Sequence, residues 1–114
     1  MAMTRAILTP FSAEFPSSNF PGLNTVNARP VLAFDASTQE TAYWTLVAPQ
    51  GLSGALSCVL TYMMASATSG NIEFEVSAEA ITDADATDLD ATTSFDAVNA
   101  SGAITVPGTA GYID

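Results

Sequence analysis

The run Leu56-Ser57-Cys58-Val59-Leu60-Thr61-Tyr62-Met63-Met64-Ala65, the link Ser66-Ala67-Thr68-Ser69-Gly70 and the run Asn71-Ile72-Glu73-Phe74-Glu75-Val76-Ser77-Ala78-Glu79-Ala80 decide the fold class of this chain. A pleated strand sends successive side chains to opposite faces, so a period of two is its signature. Leu56, Cys58, Leu60, Tyr62 and Met64 alternate with Ser57, Val59, Thr61, Met63 and Ala65, which gives one apolar and one mixed face. In the return run Ile72, Phe74, Val76, Ala78 and Ala80 oppose Asn71, Glu73, Glu75, Ser77 and Glu79, a dry face against a wet one. The link is small, polar and closed by a glycine able to take positive φ. The expectation is an antiparallel hairpin over residues 56–80.

Upstream, residues 41–47 read as a strand with Ala42, Trp44 and Leu46 on one side, stopped by Pro49-Gln50-Gly51. Residues 31–34 read as an earlier strand opened by Pro30, and Asp35-Ala36-Ser37-Thr38 is turn chemistry. Downstream, strand-like sequence returns over residues 97–106 and is stopped by Pro107-Gly108. Residues 110–114 read as the start of a further strand, to be completed by more chain or by a partner subunit. Many short strands, frequent turns and no helical period predict an all-β fold. The expected architecture is an antiparallel β-sandwich, jelly-roll-like, spanning residues 30–114.

Residues 1–29 read differently. Pro10, Pro16 and Pro21 break any helix, while Phe11, Phe15, Phe20 and Leu23 follow no strand or helix period. Disordered tails are poor in aromatics, so this is an extended N-terminal arm whose anchors bury against something. Folding back on its own body and docking into another subunit or protein are the two destinations. Arg5 and Arg29, the two basic residues of the chain, lie in or beside the arm. Phe11, Phe15, Phe20, Leu23, Arg5 and Arg29 are therefore the candidate partner-docking residues.

Charge excludes several partners. Twelve acids against two arginines give a net charge of −10. Nucleic acid and anionic membrane surfaces are bound through clustered Lys and Arg, so neither is expected. No apolar run is long enough to span a bilayer, and the N-terminus lacks a signal-peptide core, which predicts that the chain is made and assembled in the cytoplasm. The single Cys58 forms no internal disulfide and reads as a small buried hydrophobe.

Enzymatic options are few. With no histidine or lysine in the sequence there is no Ser-His-Asp triad, no Cys-His pair, no Schiff base and no ordinary zinc site. Glu73 and Glu75 have Cα atoms about 6.7 Å apart on one strand face. That spacing suits a glycosidase pair, yet no apolar pocket is in sight to raise either pKa, and a solvated face is the simpler account. Asp83, Asp85, Asp88 and Asp90 place carboxylates at intervals of two or three in a loop of about fifteen residues. Calcium wants such oxygens, but the sixth position counted from Asp83 is Asp88 rather than glycine, and the twelfth is Ser94 rather than glutamate. These four are weak metal candidates, and no cofactor is expected. Phe34, Tyr43, Trp44, Tyr62 and Phe74 suit a sugar-stacking platform, although most follow strand alternation and read as core.

Asn19-Phe20-Pro21, Arg29-Pro30-Val31-Leu32 with Phe34-Asp35, Glu40-Thr41-Ala42-Tyr43-Trp44, Ser66-Ala67-Thr68-Ser69-Gly70-Asn71-Ile72 and the late turn Pro107-Gly108-Thr109-Ala110-Gly111 together resemble a group of small tailed-bacteriophage virion proteins. The resemblance implies a non-enzymatic β-sandwich component of the virion. Its first form is a capsid decoration or cement protein, a homotrimer, whose arm docks on the major capsid protein or another virion protein. The alternative is a tail or head fibre module that binds glycan on a host surface.

Overall fold

The computed structural model describes residues 5–49, 54–82, 90 and 93–114. The chain divides into two units, Met1–Ala55 and Leu56–Asp114. Both are all-β: among the described residues there is no α-helix, and every pairing is antiparallel. Among the described residues no helix is long and apolar enough to cross a membrane.

In the first unit, Pro10 opens a single 3-10 turn, Pro10–Ser12, with the Thr9 carbonyl accepting from Ser12 N at 3.2 Å. The fixed φ of proline suits a first helical position, while Pro16 supplies no N–H for continuation. Strands β1 (Gly22–Val26) and β2 (Arg29–Ala33) form a hairpin closed by Asn27 and Ala28, with φ of 48° and 65°. Two consecutive positive φ values make a turn whose twist matches the strands it joins. The register sets Val26 opposite Arg29, Thr25 opposite Pro30 and Leu23 opposite Leu32. Pro30 then sits at the non-hydrogen-bonded pair next to the closing one, where its missing N–H would have pointed away from β1. Pairing thus runs across position 29, and the end of the expected arm and the first expected strand are one hairpin. The turn foreseen over residues 35–38 is present, built by Ser37 N and Ser37 Oγ donating to Asp35 Oδ1, each at 2.8 Å.

In the second unit the return run behaves as a strand, but its partner differs from the expected one. Strand β3 (Asn71–Ile72) pairs with β6 (Ile104–Thr105), and β4 (Glu75–Val76) pairs with β5 (Asn99–Ala100). Further bonds extend this ladder, Val106 N to the Gly70 carbonyl at 3.0 Å and Asp96 N to the Ala78 carbonyl at 2.8 Å. Between the two short pairings, Glu73 and Phe74 face three residues, 101–103, so the ladder carries a bulge with Gly102 at φ 74°. Ser101 closes it, its N–H donating to the Phe74 carbonyl at 2.8 Å and its hydroxyl accepting from Phe74 N at 3.0 Å.

The hairpin expected over residues 56–80 is therefore not formed. Residues 62–64 bond instead to residues 111–114: Tyr62 N and Asp114 N each donate to the other's carbonyl, and Gly111 N donates to the Met64 carbonyl. Alternation marks both runs as extended but is silent on which neighbour each takes. The return run finds Thr105, Ser101 and Ser94 to satisfy Asn71, the Phe74 N–H and Glu79. Among the described apolar residues of this unit Val106 alone is buried, at 6 % exposure, flanked in the ladder by half-buried Ile72 and Ile104. Cys58, expected inside, is exposed, because among the described residues no strand pairs with it. The sheets observed are two-stranded.

Candidate docking surface

The N-terminal segment is tied down by backbone bonds rather than left as a free tail. Glu14 and Tyr43 form an antiparallel bridge, with Glu14 N donating to the Tyr43 carbonyl at 2.6 Å and Tyr43 N to the Glu14 carbonyl at 2.8 Å. Thr41 N donates to the carbonyl of Asn19, whose φ of 57° is a conformation that asparagine tolerates better than most residues. Two side chains reinforce the seam: Trp44 Nε1 donates to the Thr9 carbonyl at 2.8 Å, and Thr45 Oγ1 to Glu14 Oε2 at 2.9 Å. The backbone of residues 9–19 thus folds back on its own unit, the first of the two destinations that the sequence leaves open.

Its large side chains do not all follow. Phe11, on the 3-10 turn that lies against β2, is 60 % exposed. Phe20 is also exposed and stacks on half-buried Phe15, with ring centroids 5.4 Å apart and planes 24° apart. An offset stack of this kind adds about 0.5–1.5 kcal/mol beyond area burial. Leu23 is exposed on β1 opposite half-buried Leu32. A pinned backbone that presents Phe11, Phe20 and Leu23 to solvent combines a low ordering cost with apolar area left to bury.

The arginines are placed apart. Arg29 stands beside the hairpin turn, its Nη1 donating to the Asn27 carbonyl at 3.1 Å, about 10 Å along β2 from the Leu23–Leu32 pair. Arg5 is exposed on the segment leading into the 3-10 turn. On the far side of the hairpin the two Ser37 donors, the backbone N–H first, hold the Asp35 carboxyl below its ordinary range.

Among the described residues the other candidates assemble no chemistry. Asp83, Asp85 and Asp88 lie outside the described residues, and Asp90 is exposed. Among the described residues no group of three His, Cys, Asp or Glu side chains is placed to hold a metal ion. Glu73 and Glu75 are both exposed, as a solvated strand face requires. Of the aromatic set, Tyr62 and Phe74 pack with centroids 5.4 Å apart and a 56° tilt, and Trp44 is half-buried, as expected of core residues. Phe34 and Tyr43 are exposed. Sequence reasoning missed the Asn27-Ala28 turn and the Glu14–Tyr43 bridge. The first has a signal, Asn27 at a position that needs positive φ; the second has none within a local window.

No family model matches the chain, and no curated protein or solved structure matches it.

Proposed function

We propose that the chain is a non-enzymatic structural protein of a bacteriophage particle, a capsid decoration or cement protein that docks through the apolar side chains of its N-terminal unit. The observation that carries this reading is the exposure of Phe11, Phe20 and Leu23 on backbone that is already pinned. The sequence motifs that resemble phage virion proteins support it, as does the lack of histidine and lysine. In this reading the two-stranded antiparallel sheets are parts of a jelly-roll-like sandwich, and the acidic body faces solvent on the outside of the virion.

The mechanism is thermodynamic linkage. A protein that binds the assembled shell and not its separated subunits stabilises the shell by a term that grows with occupancy. Aromatic anchors desolvated in a partner's pocket supply most of such an affinity, about 2 kcal/mol or more for each good one. Arg5 and Arg29 against Glu14 leave residues 1–29 weakly positive, opposite in sign to the acidic body, which favours an acidic or neutral seat.

The double variant Phe11→Ala, Leu23→Ala tests it. Both side chains are exposed, so the unit folds and the β1–β2 hairpin persists. The expected result is at least a hundredfold loss of occupancy on particles, with those particles less resistant to heat and low salt. Unchanged occupancy, or bare particles as resistant as complete ones, overturns the proposal.

A further inference from the structure

We infer that residues 55–61 are the surface through which two copies of this chain associate, each segment adding as an antiparallel strand to the same segment of the other copy. Among the described residues no hydrogen bond reaches the backbone of residues 55–61. The open stretch is bounded on both sides. Gly54, at φ 78°, bends the chain before it, and at Tyr62 the bonds to Asp114 begin. Within it Val59 is 92 % exposed and Leu56 65 %, with Leu60 and Cys58 exposed as well. A row of unpaired N–H and C=O groups carrying β-branched and apolar side chains is a template for another strand.

Charge identifies the occupant. Residues 41–72 contain no charged side chain, in a chain that carries −10 overall. A basic partner would be drawn to the acidic segments on either side. The neutral segment is instead where a partner of the same negative sign can approach without like charges meeting, and a second copy of the chain is such a partner.

The register follows. Antiparallel self-pairing that uses every residue from 55 to 61 is centred on residue 58, so Cys58 faces Cys58 of the second copy. Directly opposed Cα atoms lie about 4.5–5.5 Å apart, a separation that a disulfide can bridge. The contact is two-fold, unlike the trimer that the phage resemblance implies, and it does not rest on the capsid reading.

Sedimentation of the full chain at micromolar concentration, together with mild oxidation by copper phenanthroline, tests it. The expected result is a dimer. Two Cys58 thiols should give one disulfide, their two electrons passing to copper(II) and their protons to solvent. Val59→Glu should weaken the dimer at least a hundredfold and abolish the cross-link, while Val59→Thr, uncharged and β-branched, keeps both. A monomeric full chain, an oligomer indifferent to Val59→Glu, or a dimer that gives no Cys58 cross-link overturns the inference. Val59 touches no core, so Val59→Glu folds, and an unchanged circular dichroism spectrum verifies that.

Discussion

Residues 56–61 and 71–76 have the same alternating pattern and opposite fates. The second run is laced to residues 99–105 through a two-part ladder with a bulge, whereas the first has no backbone partner among the described residues. The difference lies in their side chains. Asn71 offers Oδ1 to Thr105 Oγ1, and Phe74 brings a ring that packs on Tyr62 and an N–H that bonds Ser101 Oγ. Residues 55–61 have Ser57 and Thr61 as their only side-chain hydrogen-bonding groups besides the weak Cys58 thiol. A period of two gives a strand its faces; pairing depends on what the neighbour can satisfy.

The largest effect that sharpens this contrast belongs to Val106. It is the buried side chain beside the ladder, and Val106→Asp places a carboxylate there with no partner, at a cost of at least about 3 kcal/mol. Chemical denaturation should show the Leu56–Asp114 unit largely unfolded. The comparable change in the unpaired run, Val59→Glu, should leave the dilute chain within about 0.5 kcal/mol of the parent. Equal losses at both positions would erase the distinction between the runs. A smaller loss is expected at the bulge. Gly102 has φ 74°, and no heavy atom lies within 4 Å of where a Cβ would stand, so Gly102→Val meets backbone strain and no clash. The expected loss is about 1–2 kcal/mol by the same denaturation. No loss would mean that the bulge is not needed to change register.

What the sequence makes legible follows from this asymmetry. The exposed Asn71, Glu73 and Glu75 against half-buried Ile72 and Phe74, the Asp35 turn and the stop at Pro107-Gly108 are local features with local causes. The exposure of Cys58 was not legible, since its burial depends on a neighbour that no local rule names. The hairpin across Asn27-Ala28 was obscured because alanine at φ 65° lacks the glycine that usually marks such a turn. Of the candidate docking set, the three phenylalanines among the prolines of residues 1–29 are plain from the sequence. That Phe15 and Phe20 stack while Phe11 stands apart was not, because an aperiodic segment carries no rule for which side chains meet.

The smallest effect reads the junction between the two runs' environments, where the open segment ends and Tyr62 begins its bonds to Asp114. Tyr62 Oη donates to Asp114 Oδ2 at 2.7 Å, and that bond, helped by slight desolvation and the carboxylate's charge, holds the phenol above its ordinary value. A raised folded value means that the bond's contribution is fully present below the unfolded phenol's pKa of about 10 and fades as pH rises through the folded one. NMR titration should place Tyr62 above the ordinary tyrosine value, and Asp114→Asn should bring it back down. With the carboxylate gone the phenol loses its charged acceptor, so the fading above a pH of about 10 should shrink as well. A Tyr62 titration unmoved by Asp114→Asn would mean that the side-chain bond does not hold the end of the open strand, leaving the two reciprocal backbone N–H to carbonyl bonds of Tyr62 and Asp114 to anchor it there.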